Sequence, residues 1–110
     1  MRTFILRIMS SLGTELKINV HVEPIDGYHM EDYDFACSFY VYEDRRVEVS
    51  KSAMKRIDSD NYMALLVSAD GRRIGSGRIM MEITAYVPDG DFADGVRIEK
   101  AVTCTGVTIT

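Results

Sequence analysis

The sequence predicts an all-β protein, an antiparallel β-sandwich of immunoglobulin-like type with about seven to nine short strands. Three observations carry that expectation. The first is the run Asp34-Phe35-Ala36-Cys37-Ser38-Phe39-Tyr40-Val41-Tyr42. Successive strand side chains point to opposite faces, so Phe35, Cys37, Phe39 and Val41 form an apolar side. Ala36, Ser38, Tyr40 and Tyr42 form a small or amphipathic one. The second is Arg78–Val87, with Ile79, Met81, Ile83, Ala85 and Val87 facing one way and Arg78, Met80, Glu82, Thr84 and Tyr86 the other. The third is that no convincing long helix can be read from the pattern. A small barrel is the alternative architecture.

Each element follows in chain order. Thr3–Met9 places Phe4, Leu6 and Ile8 on one face, and Ser10–Thr14 turns through Gly13. Glu15–Val22 alternates Leu16, Ile18, Val20 and Val22 against Glu15, Lys17, Asn19 and His21, so these two runs predict an antiparallel hairpin. Glu23–Asp32 is long enough to be a crossover between sheets. After the Asp34–Tyr42 strand, Glu43-Asp44-Arg45-Arg46 reads as a turn, and Val47 and Val49 mark a short strand. Ser50–Ile57 reads as one or two helical turns with a serine cap.

Asn61–Ala69 is assigned to a strand that partners Ile79–Val87, although Met63, Ala64, Leu65 and Leu66 are good helix formers and Asp70-Gly71 could end a helix. Gly75-Ser76-Gly77 lets the backbone turn sharply or approach another segment closely. Pro88–Gly95 is a loop rich in glycine and aspartate. Val96–Thr110 supplies the last one or two strands, with Gly106 a candidate bulge. Asp58-Ser59-Asp60-Asn61-Tyr62 has the pattern of a tyrosine corner, while the cysteine spacing and core tryptophan of antibody domains are absent.

The chain has 110 residues, one domain's worth spanning 1–110. Its net charge of −4 argues against general nucleic-acid binding, which needs a basic surplus. Lys51, Lys55 and Arg56, and then Arg72, Arg73 and Arg78, read as solvated surface. Arg7 interrupts the N-terminal apolar run and no small-residue cleavage site follows, which argues against a signal peptide. No segment reaches the length of a membrane span. Cys37 and Cys104 have no zinc spacing. Both read as small hydrophobes in apolar strands, and a cytosolic origin disfavours a bridge between them.

The residues hold little chemistry. Asp89, Asp91 and Asp94 in Pro88–Gly95 invite a calcium reading, but Ala93 and Lys100 occupy positions where a calcium loop needs oxygen ligands. Asp and Gly there serve turn geometry. His21 and His29 stand in no ligand spacing. No nucleophile elbow and no phosphate-cradling glycine loop is present. The sequence thus points to a protein that is not an enzyme and has no metal or cofactor. Tyrosine is enriched at interfaces because its ring buries area while its hydroxyl stays paired. Tyr40, Tyr42, Met80 and Tyr86 are therefore the candidate interface residues, with Asp89, Asp91 and Asp94 as a second contact edge. Covering the outer sheet surface is the competing role for these tyrosines.

The segment Asp34–Val49, the run Asp60-Asn61-Tyr62, the Gly75-Ser76-Gly77 lead into a strand, and Tyr86-Val87-Pro88-Asp89 form an ordered series. Together they resemble small β-sandwich proteins of tailed phages and prophages, notably the N-terminal domain of baseplate upper proteins. The resemblance spans roughly Tyr33 to Thr110 at the level of pattern. It implies a structural virion part, made in the host cytoplasm, that assembles with copies of itself or with other tail or head proteins. Those baseplate domains precede a longer receptor-directed region, whereas this chain stops at Thr110, so the resemblance implies an adaptor, decoration or fibre-associated subunit. It carries over no catalytic residue. A cell-surface adhesion or glycan-binding module is the alternative, expected to show a tyrosine platform open to solvent. A small hydrolase would instead need a cleft gathering His21 or His29 with carboxylates.

Overall fold

The computed structural model describes residues 9–10 and 13–110. It is a β-sandwich of two sheets. The strands are β1 (Met9–Ser10), β2 (Leu16–His21), β3 (Asp34–Tyr40), β4 (Val47–Ser50), β5 (Lys55–Asp58), β6 (Asn61–Leu66), β7 (Gly77–Pro88) and β8 (Val96–Ile109). The larger sheet has the order β1-β8-β7-β3-β4 and the smaller β2-β6-β5. All neighbours are antiparallel except β1 and β8, which run parallel.

The period-two pattern is realised where it was strongest. Leu16, Ile18 and Val20 of β2 are buried while the residues between them are exposed. Phe35, Cys37 and Phe39 of β3 point inward, as do Ile79, Met81, Ile83, Ala85 and Val87 of β7. They meet Tyr62, Ala64 and Leu66 of β6, and the Phe35 ring lies edge-on to Tyr33 and Tyr62, with centroids 6.1 and 5.2 Å away. The Glu23–Asp32 connection is the sheet-to-sheet crossover the sequence predicts, and it ends in a 3-10 turn at Met30–Asp32.

Several expectations are corrected. Met9–Ser10 does not form a hairpin with β2: it lies in the other sheet beside β8, and β2 pairs with β6. Thr3–Ile8, the rest of the predicted first strand, falls outside the described residues. Within Ser50–Ile57 one turn forms as the sequence allows, a 3-10 turn at Lys51–Ala53 with Ser50 at its N-cap position but making no side-chain cap bond, and the chain then enters β5. Asn61–Leu66 is a strand, but its neighbours are β2 and β5, while β7 is flanked by β3 and β8.

A helix, α1 (Ser68–Ile74), follows where a strand end was expected. The Asp70 carboxylate accepts the Val67 N–H at 2.9 Å, satisfying one donor of the first turn. Arg72 and Arg73 sit in the last turn, where positive charge suits the helix dipole, and Ile74 is buried in the core. Gly75, at φ +86, ends the helix, and its N–H reaches the Gly71 carbonyl at 3.0 Å. Gly77 has φ +136, and a Cβ there would lie 2.7 Å from Val41 Cγ1. The Gly75-Ser76-Gly77 lead into β7 is thus both a sharp turn and a close approach to the end of β3.

β7 and β8 are the longest strands, at 12 and 14 residues, and form one hairpin. The register shifts between Arg78 and Met80, which is the bulge that Gly106, at φ +82, was expected to make. Val107 and Ile109 beyond it are buried, whereas Ile98–Cys104 before it is exposed at every position.

Candidate functional site

The outer face of the larger sheet is built row by row from the strand registers. Glu48, Ser38, Glu82 and Val102 lie side by side across β4, β3, β7 and β8. The next rows are Ser50-Ala36-Thr84-Lys100 and Asp34-Tyr86-Ile98, and on the other side Tyr40-Met80-Cys104. The rows enclose a shallow hollow of ≈ 310 Å³ lined by Ala36, Ser38, Arg46, Glu48, Glu82, Thr84, Tyr86, Ile98 and Lys100. Arg46 donates to Glu82 at 2.7 Å and lies 4.1 Å above the Tyr40 ring.

The hollow has a polar middle and an apolar flank. Tyr86, Ile98 and Val102 are 36, 58 and 54% exposed, and Cys104 beside them is exposed too. The amphipathic sense of β8 is therefore inverted. Its apolar residues Ile98 and Val102 point away from the smaller sheet. The opposite side, in register with inward residues of β7, carries Arg97, Glu99, Ala101 and Thr103.

The predicted interface residues are dispersed by this geometry. Tyr86 and Met80 lie on the outer face of β7, with Tyr86 exposed and Met80 half-buried. Tyr40 is only 6% exposed, because Arg46 from the following turn folds over its ring. Tyr42 is exposed but lies past the end of β3, in the turn beside Gly75. The structure therefore does not bring Tyr40 and Tyr42 together as an open platform. Ile98 and Val102 are what sequence reading missed. Their signal was the alternation in Val96–Thr103, which assigns faces without saying which one meets the core.

The other candidates lie in the β7–β8 loop and around the crossover. Asp89 is tied down: its carboxylate takes the Asp91 N–H at 3.0 Å and Arg97 at 2.5 Å, and both hold its pKa below the ordinary value. Asp94 accepts the Val96 N–H at 3.3 Å, and Asp91 is exposed. Among the described residues, no three His, Cys, Asp or Glu side chains stand close enough to hold a metal ion. His29 meets Asp60 at 2.9 Å and His21 meets Glu23 at 3.0 Å, while the Asp60 carbonyl contacts His21 Nδ1 at 2.9 Å. These contacts pin the crossover to the β5–β6 turn, and they border neither the sheet-face hollow nor the second hollow at Leu16 and Leu65–Val67.

The cysteines differ from their common reading. Cys37 is buried, and desolvation pushes its thiol up to about 12, so it carries almost no thiolate at neutral pH. Cys104 is exposed rather than core, and both are free. No helix among the described residues is long and apolar enough to cross a membrane. No family model, curated protein or solved structure matches the chain.

Proposed function

We propose that this chain is a structural protein of a phage or prophage particle, not an enzyme, acting through protein–protein contacts made by the outer face of its larger sheet. The inverted amphipathicity of β8 carries the reading. Burial of a side chain such as Ile or Val is worth about 1.5–3 kcal/mol, and here that gain is left unused on Ile98 and Val102. Ile98 and Val102 stand on one face on either side of Lys100, and exposed large apolar side chains grouped on a sheet face among polar ones mark a contact surface. The neighbouring Tyr86 has the size and amphipathic character that interfaces favour.

The strand order supports the immunoglobulin-like reading. β2-β6-β5 facing β8-β7-β3-β4 is the order of the B, E, D and G, F, C, C′ strands of a variable-type domain. Placement in a virion rests on the ordered resemblance of Tyr33–Thr110 to baseplate-type sandwiches.

Native mass spectrometry of the purified chain, with and without calcium, tests the assembly. A discrete oligomer is expected in both conditions, and it should weaken when Tyr86→Ala is combined with Ile98→Asp. A strict monomer that binds calcium or an oligosaccharide would overturn the reading. An antibody to the chain should label purified particles of the phage that encodes it, and unlabelled particles would remove the virion placement.

A further inference from the structure

We infer that a second copy of this chain pairs with the Ile98–Cys104 edge of β8, antiparallel about a two-fold axis at Ala101. The inference rests on the assembly reading above and adds to it the partner, the pairing mode and the register.

β8 pairs with β7 on one side. On its other side the described residues supply only β1, opposite Thr108 and Ile109. Among the described residues, no strand lies against that side of Ile98–Cys104, and both faces of the segment are exposed. Seven such residues span about 24 Å at strand rise. The other outermost strands are shorter: β4 and β5 have 4 residues each and β2 has 6. A long unpaired edge with apolar side chains is a template for another strand, and no proline interrupts this one.

The side chains select the register. A two-fold axis perpendicular to the sheet keeps outward residues on one side, so it must pass through a residue. At Lys100 or Glu99 it would set like charges directly opposite each other, which is destabilising. At Val102 it would carry the pairing onto the Thr105–Gly106 bulge, where the strand bends. At Ile98 it would run into the hairpin loop. At Ala101 all of Ile98–Cys104 pairs, with Ile98 opposite Cys104, Lys100 opposite Val102 and Glu99 opposite Thr103. No like charges face directly. The larger sheets of the two copies become continuous, with Ile98 and Val102 of one copy diagonal to Val102 of the other across the joint.

The test is disulfide trapping in Ala101→Cys/Cys104→Ser, where Cys37 stays buried. Directly opposed residues of an antiparallel pair have Cα atoms about 4.5–5.5 Å apart, within disulfide reach. Mild oxidation should convert most of the chain to a covalent dimer. Thr103→Cys/Cys104→Ser should form little covalent dimer, because its sulfurs would be several residues apart. Sedimentation velocity should show a dimer for the wild type and its loss in Ile98→Lys/Val102→Lys, whose positions are exposed enough to leave the fold intact. An oligomer that persists in that variant while Ala101→Cys fails to cross-link would overturn the edge pairing but leave the assembly reading standing. A wild-type monomer that dimerises only after deletion of residues 1–8 would assign the edge to the chain's own N-terminal segment and overturn the proposal. A monomer under every condition would overturn both.

Discussion

Lys51 offers the sharpest test of how the crossover is held. Its ammonium donates to the carbonyls of Met30, Glu31 and Tyr33 at 3.0, 3.2 and 2.7 Å. Met30 and Glu31 belong to the 3-10 turn at Met30–Asp32, and Tyr33 is its C-cap. The last carbonyls of such a turn lack internal partners, and a cation is well placed to satisfy them. The ammonium also lies 5.6 and 5.7 Å from the Phe35 and Tyr62 ring centroids. Lys51→Met keeps most of the stem and removes the donors. Hydrogen bonds to a charged group are worth about 1.5–3 kcal/mol each in favourable cases. Lys51 is half-buried and water can replace part of what is lost, so the net expectation is about 2–4 kcal/mol, or roughly 9–17 °C in Tm for a domain this size.

Urea denaturation measures the effect, with an unchanged m-value showing that the folded and unfolded states remain comparable. Lys51→Arg should lose less, about 1 kcal/mol, because a planar guanidinium keeps the charge but cannot converge on all the carbonyls. A Lys51→Met loss below about 0.5 kcal/mol would show that water satisfies these carbonyls and that the ammonium is not what holds the turn.

Native protein at about pH 8 should expose one fast thiol to a disulfide reagent, Cys104, with Cys37 reacting only in denaturant; two fast thiols would contradict the packing of β3. His29 and His21 both have pKa values raised above 6.5, chiefly by hydrogen bonds to the Asp60 and Glu23 carboxylates respectively. Their folded forms favour the proton, so their contribution is full below the unfolded value near 6.5 and is lost as pH rises through the folded values. Urea midpoints measured from about pH 5.5 to 8.5 should fall with rising pH, and His21→Gln/His29→Gln should flatten that part of the profile; an unchanged slope would refute the assignment. Gly77→Ala should cost about 2–4 kcal/mol, because the new Cβ meets Val41 and the φ is unfavourable. Gly75→Ala meets only ordinary contacts at 3.5 Å and should cost less, so the reverse order would disprove the close-approach argument.

How much of this was legible in the sequence varied with the range of the interaction that decides each element. The alternation in Leu16–Val22, Asp34–Val41 and Ile79–Val87 is local, and it marks the right strands and their inward residues, except that Val22 and Val41 lie just past the strand ends and are half-buried. Strand partners are set by distant chain, and adjacency misled twice: Met9–Ser10 pairs with Thr108–Ile109 rather than with β2, and β6 turns away from β7. α1 is 7 residues long and contains Gly71, too short for a helical repeat to register. Its end was sought at Asp70-Gly71, whereas Gly75 supplies the positive φ. Tyr40 was placed on the open side by correct parity, but parity does not foresee that Arg46 would cover it. The apolar flank at Ile98 and Val102 was missed for a different reason. Assigning apolar residues to the core is the sound default, and β8 departs from it.

That departure is specified by the structure around it. A one-residue slip of β8 along β7 would turn Ile98 and Val102 inward and Glu99 and Thr103 outward, since register alone decides the face. The observed register is pinned at the hairpin end. The Asp89 N–H bonds to the Gly95 carbonyl at 2.9 Å and the Gly95 N–H to the Phe92 carbonyl at 2.9 Å, which fixes the loop. Arg97 then bridges Asp26 at 2.6 Å, Asp89 at 2.5 Å and Glu99 at 2.6 Å, so it ties the start of β8 to the hairpin loop and to the crossover together. A slip would carry Arg97 to the other face and break these contacts at once. The ion pairs are partly solvated, and their consequence here is register more than stability. Their effect is to hold outward the face that a free sandwich would rather bury. Such an arrangement is consistent with selection for what that face meets, and Arg97→Met should blur it. If the exposed face is specified by this pin, the variant will lose the hairpin's single register, read as multiple amide resonances for Ile98–Cys104. A single sharp set would show that the loop alone decides the face.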